Sequence, residues 1–185
     1  MKTEKNKTFN SELYFSADQK LVKDRERTRR LLCSYNDTHK IDYERRTAWL
    51  KEIFGSMGKS IYIESNFYCD YGYNIHVGEN FYANFGCTIL DAGQVTIGKN
   101  CMMGPGVYIY TNNALINPEG HITEINCTKS VTIGDNVWIG RKAIIKPGVT
   151  IGDNVVIGSE TVVTADVPAN VVIAGNPAKV IKRLE

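Results

Sequence analysis

The sequence predicts a mainly β protein, a parallel β-helix built as a prism of stacked triangular coils, preceded by a helical N-terminal segment. Two observations predict this fold. From about residue 60 onward, aliphatic side chains recur at every sixth position, a spacing that fits neither the 3.6-residue period of a helix nor a continued two-residue strand period. Before about residue 57, apolar residues follow a helical period instead.

The N-terminal segment, residues 1–58, contains two predicted amphipathic helices. The first covers residues 16–35, where Ser16 and Gln19 have the spacing of a capping box. Its charge run at residues 23–30, KDRERTRR, interleaves acids with bases and indicates a solvated helix face rather than a basic patch. The second helix covers residues 41–55, with Asp42 as its N-cap and Gly55 near its end.

Residues 59–185 form the predicted β-helix domain. Aliphatic residues spaced six apart define its repeat, at Ile133, Ile139, Ile145, Ile151, Ile157 and Val163. Four residues after each of the first five comes a second small or aliphatic side chain. An earlier block (77–109) shows the same period, interrupted once by a slip of two residues. Six residues make one short strand plus a turn, and three such units close one triangular coil. Because its small interior side chains leave little room for a ligand, a site must lie outside, on loops or between copies.

Composition excludes several classes of function. Twenty-two Lys plus Arg against twenty Asp plus Glu give a formal charge of +2, too balanced for nucleic acid or an acidic membrane as the main partner. The five cysteines are scattered and form no C-x-x-C, so they indicate neither a disulfide framework nor a thiolate zinc site, and a reducing cytoplasm fits them best. We expect neither a secretion signal nor a membrane span, since no long apolar run occurs.

Several motifs resemble one known family. The stretches VTIGDNVWIG and PGVTIGDNVVIG, with the ending VVTADVPANVVIAGNPAKVIKRL, resemble the hexapeptide-repeat acyltransferases. The stretches CDYGYNIHVGENFYANF and ELYFSADQKLVKDRERTRRL narrow this resemblance to the maltose and galactoside O-acetyltransferase group. The resemblance implies a left-handed β-helix and a homotrimer with three clefts between neighbouring prisms. It also implies acetyl-coenzyme A as the acetyl donor, a sugar-like hydroxyl compound as the acceptor, and no metal.

One departure from the family concerns the irregular loop at residues 111–130. The reaction needs a base that takes the hydroxyl proton as the oxygen attacks the thioester carbonyl. The family places a histidine in a stretch resembling Y-T-x-x-H-P-x-x-P, which matches Tyr110–Pro118, and the histidine position is Ala114. Three explanations stay open: His121 substitutes as the base, the position was replaced to trap substrate, or the chain binds without turning over. A loop histidine without a role is the favoured interpretation of His121, since proton transfer tolerates little displacement.

The resemblance also assigns acceptor-binding residues. A carboxylate, a phenol and an amide are suited to sugar hydroxyls, and the matching positions are Asp70, Tyr82, Asn84 and Asp91. The alternative for all four is capping of the coil corners, and for Asn84 and Asp91 we favour the pocket. By the same resemblance Trp138 lines the cleft beside the thioester. The alternative role for Trp138 is packing between subunits.

For the cofactor, the resemblance implies backbone amides of the last coils together with polar and basic side chains. The matching positions are Gly140, Arg141, Ser159, Thr164, Ala165, Lys179 and Lys182. Ala165 stands where a lysine is common and Lys179 where an arginine is frequent, which should weaken contacts with phosphates. The two lysines also fit a solvated chain end.

The sequence thus predicts a cytoplasmic, trimeric sugar O-acetyltransferase of low activity. The alternative is a non-catalytic relative that binds coenzyme A or serves as a scaffold, and the alanine at the base position favours it.

Overall fold

The computed structural model of the chain describes residues 2–114 and 125–184. The N-terminal part contains α1 (Glu4–Phe9), β1 (Tyr14–Phe15), α2 (Gln19–Asp37) and α3 (Tyr43–Ile53). The strands that follow are β2 (Ser56–Met57), β3 (Ile61–Ile63), β4 (Tyr68–Cys69), β5 (Ile75–Val77), β6 (Phe81–Ala83), β7 (Thr88–Leu90), β8 (Val95–Ile97), β9 (Met102–Met103), β10 (Tyr108–Tyr110), β11 (Asn112–Ala114), β12 (Ile125–Thr128), β13 (Val131–Ile133), β14 (Trp138–Ile139), β15 (Ile144–Ile145), β16 (Thr150–Ile151), β17 (Val155–Ile157), β18 (Val162–Val163), β19 (Val171–Ala174) and β20 (Lys179–Arg183).

The prism strands rotate through three parallel faces. Face 1 contains β2, β5, β8, β13 and β16; face 2 contains β3, β6, β9, β14, β17 and β19; face 3 contains β4, β7, β10, β15 and β18. Equivalent residues of successive coils lie in register, as Thr96, Thr132 and Thr150 do on face 1. The last strand, β20, adds to face 2 antiparallel to β19. This confirms the predicted parallel β-helix. The predicted domain boundary at residues 58 and 59 lies just after β2.

The interior of the prism is filled by the six-residue repeat. The six repeat residues from Ile133 to Val163 are at most 1 % exposed. The small or aliphatic residues four positions after the first five of them are at most 2 % exposed. The same core continues into the N-terminal helices through Leu32, Tyr35 and Leu50. The helices therefore bury their apolar sides against the prism rather than against each other alone.

Asparagines form a ladder along the corner between faces 1 and 2. Asn80, Asn100, Asn136, Asn154 and Asn170 all have positive φ angles, between 55° and 59°. Each side-chain amide donates to the Oδ1 of the next asparagine along the column, at 2.8–2.9 Å. Asparagine suits this position because it tolerates the left-handed backbone that the sharp corner needs and satisfies its own polar side chain.

The start of helix α2 differs from the prediction, whereas the predicted N-cap of helix α3 agrees with the structure. Helix α2 begins at Gln19 with Asp18 as its N-cap, whose carboxylate accepts from the amides of Lys20 and Leu21. The predicted capping box at Ser16 was therefore wrong by two residues. The predicted cap of α3 is confirmed, because the Asp42 carboxylate accepts from the Arg45 amide.

A buried arginine joins the two long helices to the first coil. The guanidinium of Arg46 donates to the carbonyls of Tyr35, Thr38 and Ile63 and lies 4.2 Å from the centre of the Tyr35 ring. Arg46 is only 2 % exposed. Because these carbonyls come from α2, its C-cap and β3, one side chain fixes the position of the helices on the prism.

The N-terminus is attached to the base of the irregular loop. Strand β1 pairs antiparallel with β12, and β12 pairs antiparallel with β11. The Thr128 hydroxyl at the end of β12 also donates to the Thr8 carbonyl in α1, at 2.6 Å. The two ends of the loop are therefore paired with each other, and β12 is also held by the first fifteen residues.

The three faces differ in what they present outward. The outward residues of face 1 are polar: Ser56, His76, Thr96, Thr132 and Thr150. Face 2 presents Tyr62, Tyr82, Met102, Trp138, Val156 and Val172, and face 3 presents Tyr68, Thr88, Tyr108, Ile144 and Val162. Trp138, Tyr68 and Met102 are 56 %, 53 % and 47 % exposed in the single chain. Two of the three faces are thus predominantly apolar on the outside.

The asparagine ladder yields a stability prediction. Replacing Asn154 by alanine removes two ladder hydrogen bonds and places a Cβ-bearing residue without a polar side chain at positive φ, so we expect a loss of about 2–4 kcal/mol in unfolding free energy. Asn154→Gly keeps the backbone freedom and loses only the hydrogen bonds, so we expect about 1–2 kcal/mol. Urea unfolding of the two variants measures the difference. Equal losses would contradict a contribution from the left-handed backbone.

Candidate active site

The first group of predicted site residues lies along the corner between faces 3 and 1, which we call the loop corner. Asp70, Asp91 and Thr111 follow β4, β7 and β10 in three successive coils. By the strand register Asp91 lies level with Thr111, whereas Asp70 lies level with Leu90, one residue earlier in its coil. The irregular loop leaves the prism from this corner through β11 and returns through β12. The β-helix therefore places two of the four predicted acceptor residues at the corner where the two described ends of the loop, β11 and β12, meet the prism.

Asp91 is the buried centre of the loop corner. Its Oδ1 accepts from the backbone amides of Asp70 and Tyr71, both at 2.9 Å. The residue is 0 % exposed, and its Oδ2 has no hydrogen-bond partner among the residues that the structure describes. Asn74 holds the same turn from the side, because its amide donates to the Asp91 carbonyl at 2.6 Å. These contacts match the corner-capping alternative, and the acceptor-binding role of Asp91 stays a prediction.

The burial of Asp91 changes its protonation. Removal from water raises the pKa of the Asp91 carboxyl to about 7, and the nearby Asp70 charge raises this pKa further, against the lowering effect of the two backbone amides. The carboxyl therefore changes charge near neutral pH.

Asp70 lies half-buried on the wall of a cavity of about 530 Å³ between α2 and face 3, which we call the α2 cavity. Its walls are formed by Arg29, Leu32, Cys33, Asn36, Asp37, Asn66, Tyr68, Cys69, Asp70 and Leu90. Burial raises the pKa of Asp70, while the positive charges of Arg25 and Arg29 and a hydrogen bond from the Asn112 side chain lower it. The cavity thus combines a carboxylate, an amide, a guanidinium and apolar surface, which suits a small polar molecule.

The second group of predicted site residues lies on face 2. The ring of Tyr82 stacks on Tyr62, with ring centres 6.2 Å apart. Asn84 follows the same strand, and its Oδ1 accepts from the Phe85 amide at 2.8 Å. One and two coils further on, Met102 and Trp138 line a groove of about 450 Å³. This exposed aromatic surface is available to a neighbouring chain or a ligand.

The predicted cofactor residues also divide between the corners. Gly140, Arg141 and Ser159 follow β14 and β17, at the end of face 2, while Thr164 and Ala165 follow β18 at the loop corner. No side chain fits at Gly140, since a Cβ there would lie 2.7 Å from the Ile157 oxygen, and its amide already donates to that oxygen. The Arg141 guanidinium lies 3.5 Å from Glu160, with both side chains more than 60 % exposed. Such an exposed pair is weak, so Arg141 can turn to an anionic ligand.

The two C-terminal lysines lie on β20. Lys179 pairs with Ala174 and Lys182 with Val172. Every residue of β20 is exposed, including Val180 and Ile181. The lysines are therefore part of a regular strand at the end of face 2, and their contact with phosphates stays a prediction.

Within one chain the site residues thus form two separate rows. One row follows the loop corner and the other follows face 2 and its end, with the full width of face 3 between them. The backbone of Ala114 ends β11 and pairs with Asn126. His121 lies outside the residues that the structure describes.

Sequence reasoning missed three residues near Asp70. Arg25, assigned above to a solvated helix face, donates to the Tyr71 hydroxyl at 2.6 Å and to the Ser16 carbonyl at 2.9 Å. Arg29 lines the α2 cavity, and Asn112 contacts Asp70 from the loop. The four-residue spacing of the two arginines, which places them on one side of a helix, was the available signal.

Neither a metal nor a membrane span is indicated in the described ranges. Within residues 2–114 and 125–184, no group of three or more His, Cys, Asp or Glu side chains could hold a metal ion. The same residues include no helix with the length and apolar character needed to traverse a bilayer.

Comparisons with known proteins agree over the whole chain. Residues 7–58 match the family described as maltose acetyltransferase hexapeptide capping motif, and residues 130–165 match the bacterial transferase hexapeptide family. A maltose O-acetyltransferase from Clostridium difficile 630 is 49 % identical, with a TM-score of 0.97 over 100 % of this chain and 98 % of that one. A galactoside acetyltransferase in complex with coenzyme A is 37 % identical, with a TM-score of 0.92 over 100 % and 92 % of the two chains. The galactoside O-acetyltransferase of Escherichia coli is 40 % identical over 89 % of this chain and 81 % of its own.

Asp91 yields a prediction on pH and stability. Because its folded-state pKa of about 7 lies above its ordinary value of 3.8, the folded protein binds this proton more tightly than the unfolded chain does. The unfolding free energy should therefore fall as pH rises from about 4 to about 7 and level off above, a contribution on the order of 4 kcal/mol. Asp91→Asn, which carries no charge, should flatten this slope.

Urea midpoints between pH 4.5 and 7.5 measure the slope, and Glu26→Gln, which neutralises an exposed carboxylate on α2, serves as the control. An unchanged slope in Asp91→Asn would contradict the assigned protonation.

Proposed function

Because the chain belongs to the hexapeptide-repeat acetyltransferases, in the maltose and galactoside O-acetyltransferase group, we propose that it transfers an acetyl group from acetyl-coenzyme A to a hydroxyl of a sugar or sugar-like acceptor. The observation that carries this proposal is the match over the full chain to a relative named maltose O-acetyltransferase, at 49 % identity. A structural relative at 37 % identity is in complex with coenzyme A, which supports the donor.

We infer further that three copies assemble and that each site lies between two of them. The two rows of site residues cannot meet within one chain, because face 3 separates them. The loop corner of one chain can meet face 2 of the next, which would bring Asp70 and Trp138 to one cleft. Such a contact joins two different surfaces and forms a ring when the rotation between neighbouring chains closes, and the family resemblance implies a ring of three.

The outward side chains support the same assembly. Faces 2 and 3 present exposed aromatic and aliphatic residues, whereas face 1 presents threonine, serine and histidine. Large exposed apolar patches on a folded chain mark surfaces that are covered in an assembly. We place this assembly in the cytoplasm, where the five free cysteines would stay reduced.

A second candidate function is a coenzyme A-binding relative without turnover. One observation favours it: the position at which the family carries its general base is Ala114. An alanine cannot accept a proton, and a general base is typically worth about 10²–10⁴ in rate. The two candidates share the fold and the cofactor and differ only in turnover.

Turnover is tested by coenzyme A release from acetyl-coenzyme A with maltose, glucose and galactosides, for the unmodified chain and for Ala114→His. We expect slow release by the unmodified chain and at least a tenfold rise in Ala114→His, because an imidazole has its pKa near the assay pH. If neither protein releases coenzyme A, while calorimetry shows that both still bind it, the second candidate would be supported. Equal and rapid release by both would show that position 114 is not the position of the base.

The assembly is tested by light scattering. We expect a mass three times the 20.7 kDa of one chain. Tyr108→Glu places a charge on apolar face 3 and should shift the protein toward monomers, whereas Thr132→Glu makes a similar change on polar face 1 and should leave the mass unchanged. A monomeric unmodified chain at micromolar concentration would overturn the shared site.

A further inference from the structure

We propose that Asp70 is the general base of this chain and takes the proton of the acceptor hydroxyl in place of the imidazole that is absent at position 114. The inference rests on the proposed acetyl transfer. It assigns to Asp70 a reaction step in addition to the acceptor binding that the family resemblance implies.

The location of Asp70 fits this role. Its carboxylate lines the α2 cavity, which at about 530 Å³ is large enough for a monosaccharide-sized molecule. The backbone amides of Asp70 and Tyr71 are fixed by Asp91 beneath them, at 2.9 Å each. The carboxylate therefore projects from a rigid turn toward the space that an acceptor would occupy.

A hydrogen bond connects Asp70 to the loop on which the family places its base. The Asn112 side chain donates to the Asp70 carboxylate. Asn112 begins β11 and Ala114 ends it, so the two backbone positions are about 7 Å apart along the strand. Asp70 thus contacts the first residue of the short strand whose last residue is the position that would carry the missing imidazole.

The surroundings of Asp70 favour proton acceptance. Burial raises the pKa of Asp70 above its ordinary value, which makes the carboxylate a stronger base. The charges of Arg25 and Arg29 on α2 oppose this rise and keep the ionised form accessible. The titratable, charged and hydrogen-bonding groups that interact electrostatically with Asp70 are Tyr14, Arg25, Arg29, Cys69, Tyr71, Asp91 and Asn112.

Other carboxylates near the loop corner are less suited. Asp91 is 0 % exposed and cannot reach an acceptor. Asp37 lines the same cavity from the end of α2, but the described residues show no contact between Asp37 and the loop. Among the described residues of the cavity wall, Asp70 alone combines access to the cavity with a hydrogen bond to β11.

The proposed step is balanced in atoms and electrons. The acceptor oxygen forms a bond to the thioester carbonyl carbon while its proton passes to an Asp70 carboxylate oxygen. When the carbon–sulfur bond breaks, the coenzyme A thiolate leaves with the bonding pair and takes that proton from Asp70. The products are the acetyl ester and coenzyme A, and the carboxylate is restored.

The test is a double-mutant cycle in the full chain, with coenzyme A release as the measurement. Asp70→Asn in the unmodified background should lower kcat at least a hundredfold, because it removes the base. In the Ala114→His background, where imidazole supplies the base, the same substitution should cost less than about fivefold. Asp37→Asn, the matched carboxylate change in the same cavity, should alter kcat by the same factor in both backgrounds.

Chemical rescue supplies a second measurement. Asp70→Ala should regain turnover on addition of formate, which brings an external carboxylate into the vacated space, and should not respond to chloride. Rescue of this kind is expected of a proton acceptor and is not expected of a residue that only holds the acceptor or the turn.

Three results would overturn the proposal. Equal losses from Asp70→Asn in both backgrounds would assign Asp70 to binding or structure, and an absence of rescue by formate would do the same. No turnover at all by the unmodified chain would mean that no base is present. The proposed acetyl transfer is judged separately, by coenzyme A binding and by the activity of Ala114→His, so the two failures are distinguishable.

Discussion

The structure depends on one constraint: the backbone must turn a sharp corner at regular intervals so that each strand lies on the equivalent strand of the preceding coil. The asparagines at positive φ between faces 1 and 2 satisfy it, and their side chains bond along the column. With the corners fixed, the aliphatic residue of each strand points inward and fills the prism. Because nothing else fits inside, all binding chemistry is confined to the outer surface.

That confinement explains the arrangement of the site. A flat sheet of two- or three-residue strands offers no concave pocket, so pockets arise only where another element rests on it. Helix α2 forms one such pocket over face 3. On face 2 the exposed Trp138 and Met102 line a shallower groove, over which the described residues of the chain place no helix. The predicted site residues lie in two separate rows because the interior of the prism is filled by aliphatic side chains, so that polar groups can be presented only on its outer faces and corners.

The sequence predicts the prism well because its period is local. The six aliphatic residues that recur at every sixth position from Ile133 to Val163 are all buried. The prediction was poorer where partners lie far apart in the chain. The pairing of Tyr14 with Asn126 involves a strand of two residues, too short to show a period, and the bond from Arg25 to Tyr71 spans 46 positions. The start of α2 was misplaced because Ser16 and Asp18 are both good caps and only the backbone decides between them. The predicted acceptor residues were assigned by resemblance, and their division between two surfaces follows from coil geometry that spacing alone does not reveal.

The pairing of β1 with β12, together with the bond between Thr128 and Thr8, has a practical consequence for work on this protein. The first fifteen residues precede the long helices and the prism, yet they hold β12, the strand through which the irregular loop returns to the prism. An affinity tag or fluorescent fusion at the N-terminus would disturb these contacts with β12, and truncation of the N-terminus to aid crystallisation would remove them. Kinetic constants from such altered proteins would describe a loosened enzyme rather than the natural one.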